Sequence, residues 1–177
     1  MQSTVTQVGI VMGSDLDLPI MSEAAEVLQQ FGIPFEMTVA SVHRTPDRVL
    51  QYAREAEKRH LEVIIAGAGT ASHLPGIIAA HTILPVIGVP IKSTDIWLDE
   101  QAALLSMLQM PTGTPVAVVG MNAARNAALL ATKILAVKDR RVRELVREYR
   151  RDLAEEVTRK AAKVEKAAEK IRERTGK

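Results

Sequence analysis

Short apolar runs recur along the chain, bounded by glycine or proline and followed by stretches with helical spacing. Five stand out, at residues 8–12, 35–40, 63–66, 86–89 and 116–119. The segments between them are long enough to cross back over a sheet. In the first, Ile20, Ala24, Val27, Leu28 and Phe31 fall on one helical face before Gly32 ends the helix. Strands alternating with helices predict parallel βαβ units. The third to fifth runs are almost wholly apolar, which predicts strands covered on both faces. The pattern therefore reads as a three-layer α/β/α sandwich around a doubly wound parallel sheet of five strands.

Ligands of such sheets bind outside the carboxyl ends of the strands, and that rule sorts the polar residues. Three loops open on this edge. The first, Gly13-Ser14-Asp15-Leu16-Asp17, is a small-residue turn feeding a helix; it suits a phosphate, although Gly-Ser-Asp is also an ordinary turn and cap. The second, Ser41-Val42-His43-Arg44-Thr45-Pro46-Asp47, follows a run in which Ile33, Phe35, Met37 and Val39 alternate as in a half-buried strand. Thr45 and Pro46 read as N-cap and first helical residue. The loop joins anion binding to proton transfer, because a guanidinium stands beside an imidazole next to unsatisfied backbone N–H groups. The third loop, from Gly67 to Gly76, is a run of small residues with His73, fit for a lid or a close-contact floor. Each loop alone is weak evidence, but the three together make one candidate site.

Residues 122–136 carry small side chains on nearly every face and predict a buried helix at a subunit contact. Beyond them Val142, Val146, Tyr149, Leu153, Val157, Val164, Ala168 and Ile171 form a narrow apolar stripe over many turns. Such a helix either lies across a neighbouring subunit or, after about residue 160, frays in solvent. The chain thus divides into a body, 1–137, and a charged amphipathic helix, 138–177.

Charge follows the same division. From residue 138 onward there are 15 Lys and Arg against 9 Asp and Glu, and before it 8 against 12. The basic tail interleaves its signs at helical spacing and carries no stacking aromatics, which argues against nucleic acid. With 177 residues, 47% of them hydrophobic but only 3% aromatic, the core is expected to be built of Val, Ile, Leu and Ala. Cysteine is absent, which removes thiolate chemistry and suits a reducing compartment. His43, His60, His73 and His81 show no ligand-like spacing; His60 and His81 read as solvated. The scattered methionines read as core filler. No apolar run reaches the ~18 residues of a membrane span, and Met1-Gln2-Ser3-Thr4 does not open as a signal peptide does. A cytoplasmic location with no membrane partner is expected.

Read in order, Val11-Met12-Gly13-Ser14 with Asp17, the Ser41–Asp47 peptide, Ile64-Ile65-Ala66-Gly67-Ala68-Gly69, and His73-Leu74-Pro75-Gly76 resemble one family. Gln109-Met110-Pro111 and Asn126-Ala127-Ala128-Leu129-Leu130-Ala131 continue the match. The family is N5-carboxyaminoimidazole ribonucleotide mutase, the catalytic subunit type of phosphoribosylaminoimidazole carboxylase, and the resemblance spans about residues 6–155. It implies a flavodoxin-like fold and an isomerisation of a phosphoribosyl imidazole in purine synthesis, with no metal and no cofactor. It further implies His43 and His73 as the catalytic pair, with His43 the acid and base. Ser14, Ser41 and Arg44 would hold the phosphate and Asp17 the ribose hydroxyls. Gly67, Ala68 and Gly69 would lie along the ring, with His73 and Leu74 on a covering loop. The implied assembly is a homo-octamer whose long C-terminal helices pack on neighbouring subunits.

Four departures from the family pattern are visible. Leu16 stands where a second serine is usual, Val42 replaces alanine, and Thr70 and Ser72 add bulk to the third loop. Residues 92–101, with Trp97, lack the usual Leu-x-Gly-x-Asp-Ser-Leu pattern, which bears on assembly and turnover. Two other readings stand beside the mutase. Direct carboxylation of aminoimidazole ribonucleotide by carbon dioxide is disfavoured by Arg44-Thr45-Pro46 and His73-Leu74-Pro75-Gly76. A non-catalytic nucleotide-binding paralogue is disfavoured by the presence of His43 and favoured by the altered 92–101 segment.

Overall fold

The computed structural model describes residues 6–70, 72–92 and 97–175. Its elements are β1 (Val8–Met12), α1 (Leu18–Gln30), β2 (Phe35–Val39), α2 (Pro46–Glu55), β3 (Val63–Ala68) and α3 (Leu74–Ala79). They continue with β4 (Val86–Pro90), α4 (Trp97–Leu108), β5 (Ala117–Val118), α5 (Ala124–Leu135) and α6 (Arg140–Thr175). All strand pairs are parallel and the order is β2-β1-β3-β4-β5. This is the flavodoxin-like arrangement of the doubly wound fold. The chain divides into two compact units, Met1–Leu135 and Ala136–Lys177.

Alternation along the strands builds the two cores of the first unit. From β3, Ile64, Ala66 and Ala68 face a cluster with Val49 and Ala53 of α2, Leu74 and Ile78 of α3, and Met107 of α4. The residues between them turn to the other face, where α1 and α5 pack on each other and on the sheet. There Ala124, Ala127, Ala128 and Ala131 let α5 approach closely, so one face of the helix is buried within its own chain while Arg125, Asn126 and Lys133 stay exposed. Full burial of each large aliphatic side chain contributes about 1.5–3 kcal/mol. The low aromatic content is offset in places by methionine. Met21 lies against the Cα of Gly67 and leaves no room there for a side chain, and Met107 fills the same position over Gly88.

Two expectations about the sheet change. Residue 117 is exposed and 118 only half-buried, because β5 ends the strand order and has a neighbour on one side alone. The apolar run was legible, but its place at an edge was not. At the third strand, pairing runs on through Gly67 and Ala68, opposite Val89 and Pro90. The connection to α3 is therefore short and leaves no long small-residue lid. Ile20 of α1 is half-buried, and Met21 takes the core position instead. Gly32, at φ 61°, ends α1 as expected.

The second unit is dominated by α6, 36 residues and about 54 Å long at 1.5 Å per residue. Asp139 Oδ1 accepts from the Val142 N–H at its start, 3.1 Å away. Glu144–Arg147, Glu155–Arg159 and Glu156–Lys160 pair along its surface, and Lys160 holds the Glu156 carboxyl below its usual pKa. Val142 is 1% exposed and Val146 and Tyr149 are half-buried, whereas Leu153, Val157, Val164 and Ile171 are 45–68% exposed, so the stripe is uncovered from Leu153 onward. Residues 93–96 of the atypical segment lie outside the described residues. Among the described residues no helix is long and apolar enough to cross a membrane.

Candidate active site

The ends of β1 to β4 open on one cavity of about 380 Å³. Of the residues expected there, His43, His73, Ser14, Asp17, Ser41, Arg44, Ala68, Gly69 and Leu74 line it. Gly67 does not. Its Cα faces Met21 in the α1 layer, one step of the strand pleat away from Ala66 and Ala68, and its carbonyl accepts from the Gly13 N–H at 3.1 Å. Its place is beneath the site, tying the first loop to the third strand.

The first loop is a short 3₁₀ turn closed by reciprocal capping. Ser14 Oγ accepts from the Leu16 N–H at 3.2 Å, while the Ser14 N–H donates to Asp17 Oδ2 at 3.1 Å. Asp17 is only 7% exposed. Burial raises its pKa; bonds from Ser14 and Gly13 oppose that, and the Asp15 charge adds to it. Asp17 thus has a structural task whatever else it binds. Leu16, at 84% exposure, stands on the rim as an uncovered apolar side chain.

The second loop is held by Ser41 and Thr45. Thr45 Oγ1 accepts from the Ser41 N–H at 3.0 Å and lies 3.1 Å from the Ser41 carbonyl, to which it donates. Thr45 holds the N-cap position without the expected side-chain cap, because its hydroxyl turns back to Ser41. Ser41 Oγ in turn accepts from the Arg44 N–H at 3.3 Å. This closed turn projects His43 and Arg44, both exposed, into the cavity. Val42 packs on the core cluster, so its bulk beyond alanine is seated partly in the protein interior.

On the third loop, Ser72 is buried and its hydroxyl faces the carbonyls of Ala68 at 2.9 Å and Gly69 at 2.6 Å. The side chain that departs from the family pattern therefore closes the turn. Position 71 lies outside the described residues. His73 and Leu74 open α3 and belong to no covering loop: His73 is the exposed residue before the helix, and Leu74 is 2% exposed, a floor for the cavity. The His43 and His73 rings stand edge to face, with centroids 5.6 Å apart and planes at 75°. Two imidazoles from loops thirty residues apart in sequence thus share one cavity with Arg44.

Ile91 and Lys92 line the cavity beyond the end of β4; the sequence singled out the segment that begins at Lys92 but named neither residue for the site. The strand-end rule, extended to the fourth strand, would have found them. His81 also departs from expectation. It is half-buried, with Nδ1 2.8 Å from the Ile77 carbonyl. His60 is exposed at φ 65° and ends a 3₁₀ turn, away from the cavity.

Comparisons with known proteins bear on this site. Residues 7–156 match the family described as AIR carboxylase. A protein of Pyrococcus horikoshii named N5-carboxyaminoimidazole ribonucleotide mutase is 54% identical over 165 residues, covering 93% of this chain and 92% of its own length. One of the same name from Thermotoga maritima is 52% identical, with 90% and 92% covered. The phosphoribosylaminoimidazole carboxylase of Candida albicans is 52% identical over 89% of this chain, which spans 28% of that longer protein. The crystal structure of Treponema denticola PurE superposes with a TM-score of 0.80 at 29% identity, covering 89% of this chain and 98% of that one.

Proposed function

The chain belongs to the AIR carboxylase family, and from that premise we propose how its cavity performs the reaction of an N5-carboxyaminoimidazole ribonucleotide mutase. The protein is an isomerase of de novo purine synthesis that moves a carboxylate from the exocyclic nitrogen of the aminoimidazole to ring carbon C4. The bond from nitrogen to the carboxylate carbon breaks with its electron pair left on nitrogen, and carbon dioxide is released inside the cavity. His43 gives the proton that nitrogen gains. C4 then attacks the carbon dioxide with the π electrons of the ring, and His43 takes the C4 proton, so the proton count returns to its start. Imidazole suits this double task because both of its protonation states are accessible near neutrality.

The observation that supports this reading is the edge-to-face pair of His43 and His73 within a cavity that also holds Arg44. Arg44 offers a planar fork of donors to the substrate phosphate, with the Ser14 and Ser41 hydroxyls beside it. Asp17 accepts from the ribose hydroxyls through lone pairs not used by Ser14. Ala68 and Gly69 lie along the imidazole with Leu74 beneath, and His73 holds the carboxylate end. Gly67 contributes by admitting Met21 under the floor.

The purified protein, supplied with the N5-carboxylated nucleotide or with aminoimidazole ribonucleotide and bicarbonate, tests this. Rapid formation of the C4-carboxylated product from the first alone is expected. Equal or faster conversion of the second would assign direct carboxylation instead. The reading carries with it a cytoplasmic homo-octamer, with residues 1–137 as the catalytic body and 138–177 as the contact on a neighbouring subunit. Light scattering should then give eight times the mass of one chain.

A further inference from the structure

The chemistry assigned above comes from the loops after β1, β2 and β3, yet a fourth strand end reaches the same cavity. Beyond β4 the Ile91 N–H donates to the Ala68 carbonyl at 3.0 Å, which extends the β3–β4 ladder. The next N–H, that of Lys92, donates to Asn122 Oδ1 at 2.8 Å. Asn122 adopts the left-handed conformation, φ 54°, and its own N–H donates to the Pro90 carbonyl at 2.9 Å. Asparagine tolerates that backbone better than most residues. The root of Lys92 is therefore fixed by a second element, while its side chain is exposed at the cavity wall.

Among the lining residues the permanent cations are Arg44 and Lys92, and the one buried carboxylate, Asp17, is held by the first loop. Arg44 follows β2 and Lys92 follows β4, with β1 and β3 between them. Three interstrand spacings of about 4.8 Å put their strand ends about 14 Å apart. Two cations rooted past strand ends that far apart suit an elongated ligand with two separated anions better than a lone phosphate. On the reading given above, the substrate has those two, the phosphate on ribose and the carboxylate that migrates.

We propose that Lys92 binds this carboxylate, in its nitrogen-bound and C4-bound forms alike, and so distinguishes carboxylated nucleotides from aminoimidazole ribonucleotide. The chemistry fixes the kinetic sign. The group is an anion in substrate and product but neutral carbon dioxide between them, so an ammonium contact is strongest in the ground states. Losing it raises KM and does not lower kcat.

Equilibrium binding of C4-carboxylated and uncarboxylated aminoimidazole ribonucleotide to wild type, Lys92→Met and Lys92→Arg tests the proposal, together with steady-state kinetics. Lys92→Met is expected to weaken the carboxylated ligand about tenfold, to leave the other within about twofold, and to raise KM at unchanged or higher kcat. Lys92→Arg is expected to restore most of the loss. Equal weakening of both ligands would place Lys92 at the phosphate, and no change in either would make it a solvated rim residue; each overturns the proposal, as does a fall in kcat at constant KM. Failure of the wild type itself to bind either nucleotide would overturn the mutase reading first and this inference with it.

Discussion

Two concavities of similar size lie on the first unit, and their charges behave differently. The cavity at the strand ends measures about 380 Å³, and a more open groove along β2 and α2 about 430 Å³. In the groove, the charged groups have partners within the protein. Arg59 donates to Glu36 Oε1 from Nε at 3.2 Å and Nη2 at 3.1 Å, and its guanidinium lies 4.6 Å from the centre of the Tyr52 ring. Arg48 donates to Thr38 Oγ1 at 2.9 Å, and Gln51 to Glu55. In the cavity, the Arg44 guanidinium has no ion-pair partner among the described residues, and the His43 ring meets the edge of another imidazole. Volume therefore does not mark the site. An arginine without an ion-pair partner among the described residues, beside two imidazoles that meet edge to face, does.

Substitutions can break this comparison. The largest effect is expected for His43→Asn, which should lower turnover by roughly 10²–10⁴-fold, the range of general acid–base catalysis, with nucleotide affinity held within about twofold in calorimetric titration. Arg44→Ala should weaken aminoimidazole ribonucleotide by about 10–100-fold, as expected for a lost charge-assisted pair. The loss should shrink in high salt. In the groove, Arg59→Met should cost about 1 kcal/mol in urea unfolding, since the pair it breaks is a third exposed. Its kcat/KM should stay within about twofold of wild type. A loss of turnover like that of Arg44→Ala would erase the distinction between the two concavities.

Two smaller effects depend on pH. Asp17, its pKa raised chiefly by burial, is ionised at a stability cost near neutrality. The wild type loses stability as pH rises from 3.8, the ordinary value, through the raised one. Asp17→Asn should therefore melt higher at pH 7 by an increment that fades in acid, while binding nucleotide more weakly. Burial, and then the Glu36 charge, push the Tyr52 hydroxyl up from 10.0. The folded state keeps this proton while the unfolded chain loses it above pH 10, so stability falls there. Tyr52→Phe should match the wild type near neutrality and decline less in alkali, by thermal melting.

The site was legible because its parts are local and its convergence follows from topology. Ser14, His43 and Arg44 stand just past apolar runs, and a parallel sheet sends every such end to one edge. What depended on strand neighbours was not legible. The run at 116–119 has the composition of a covered strand, but only the strand order makes β5 an edge. Gly67 belonged to the right motif, yet the two-residue period of the strand turns it away from the cavity. Ser72 and Val42 read from sequence as added bulk in the pocket, but the Ser72 hydroxyl bonds to the Ala68 and Gly69 carbonyls and Val42 packs on the core cluster. The Glu36–Arg59–Tyr52 cluster joins β2 to α2 and the turn after it, and no spacing along the chain announces it.

Isotope retention tests the central claim most directly, that the cavity both splits off and recaptures carbon dioxide. Nucleotide carrying ¹³C in its N5 carboxylate is converted in excess unlabelled bicarbonate, and the C4-carboxylated product is read by mass. The account predicts that the label stays in the product. Product formed with the label replaced from solution, or no product at all, would contradict it.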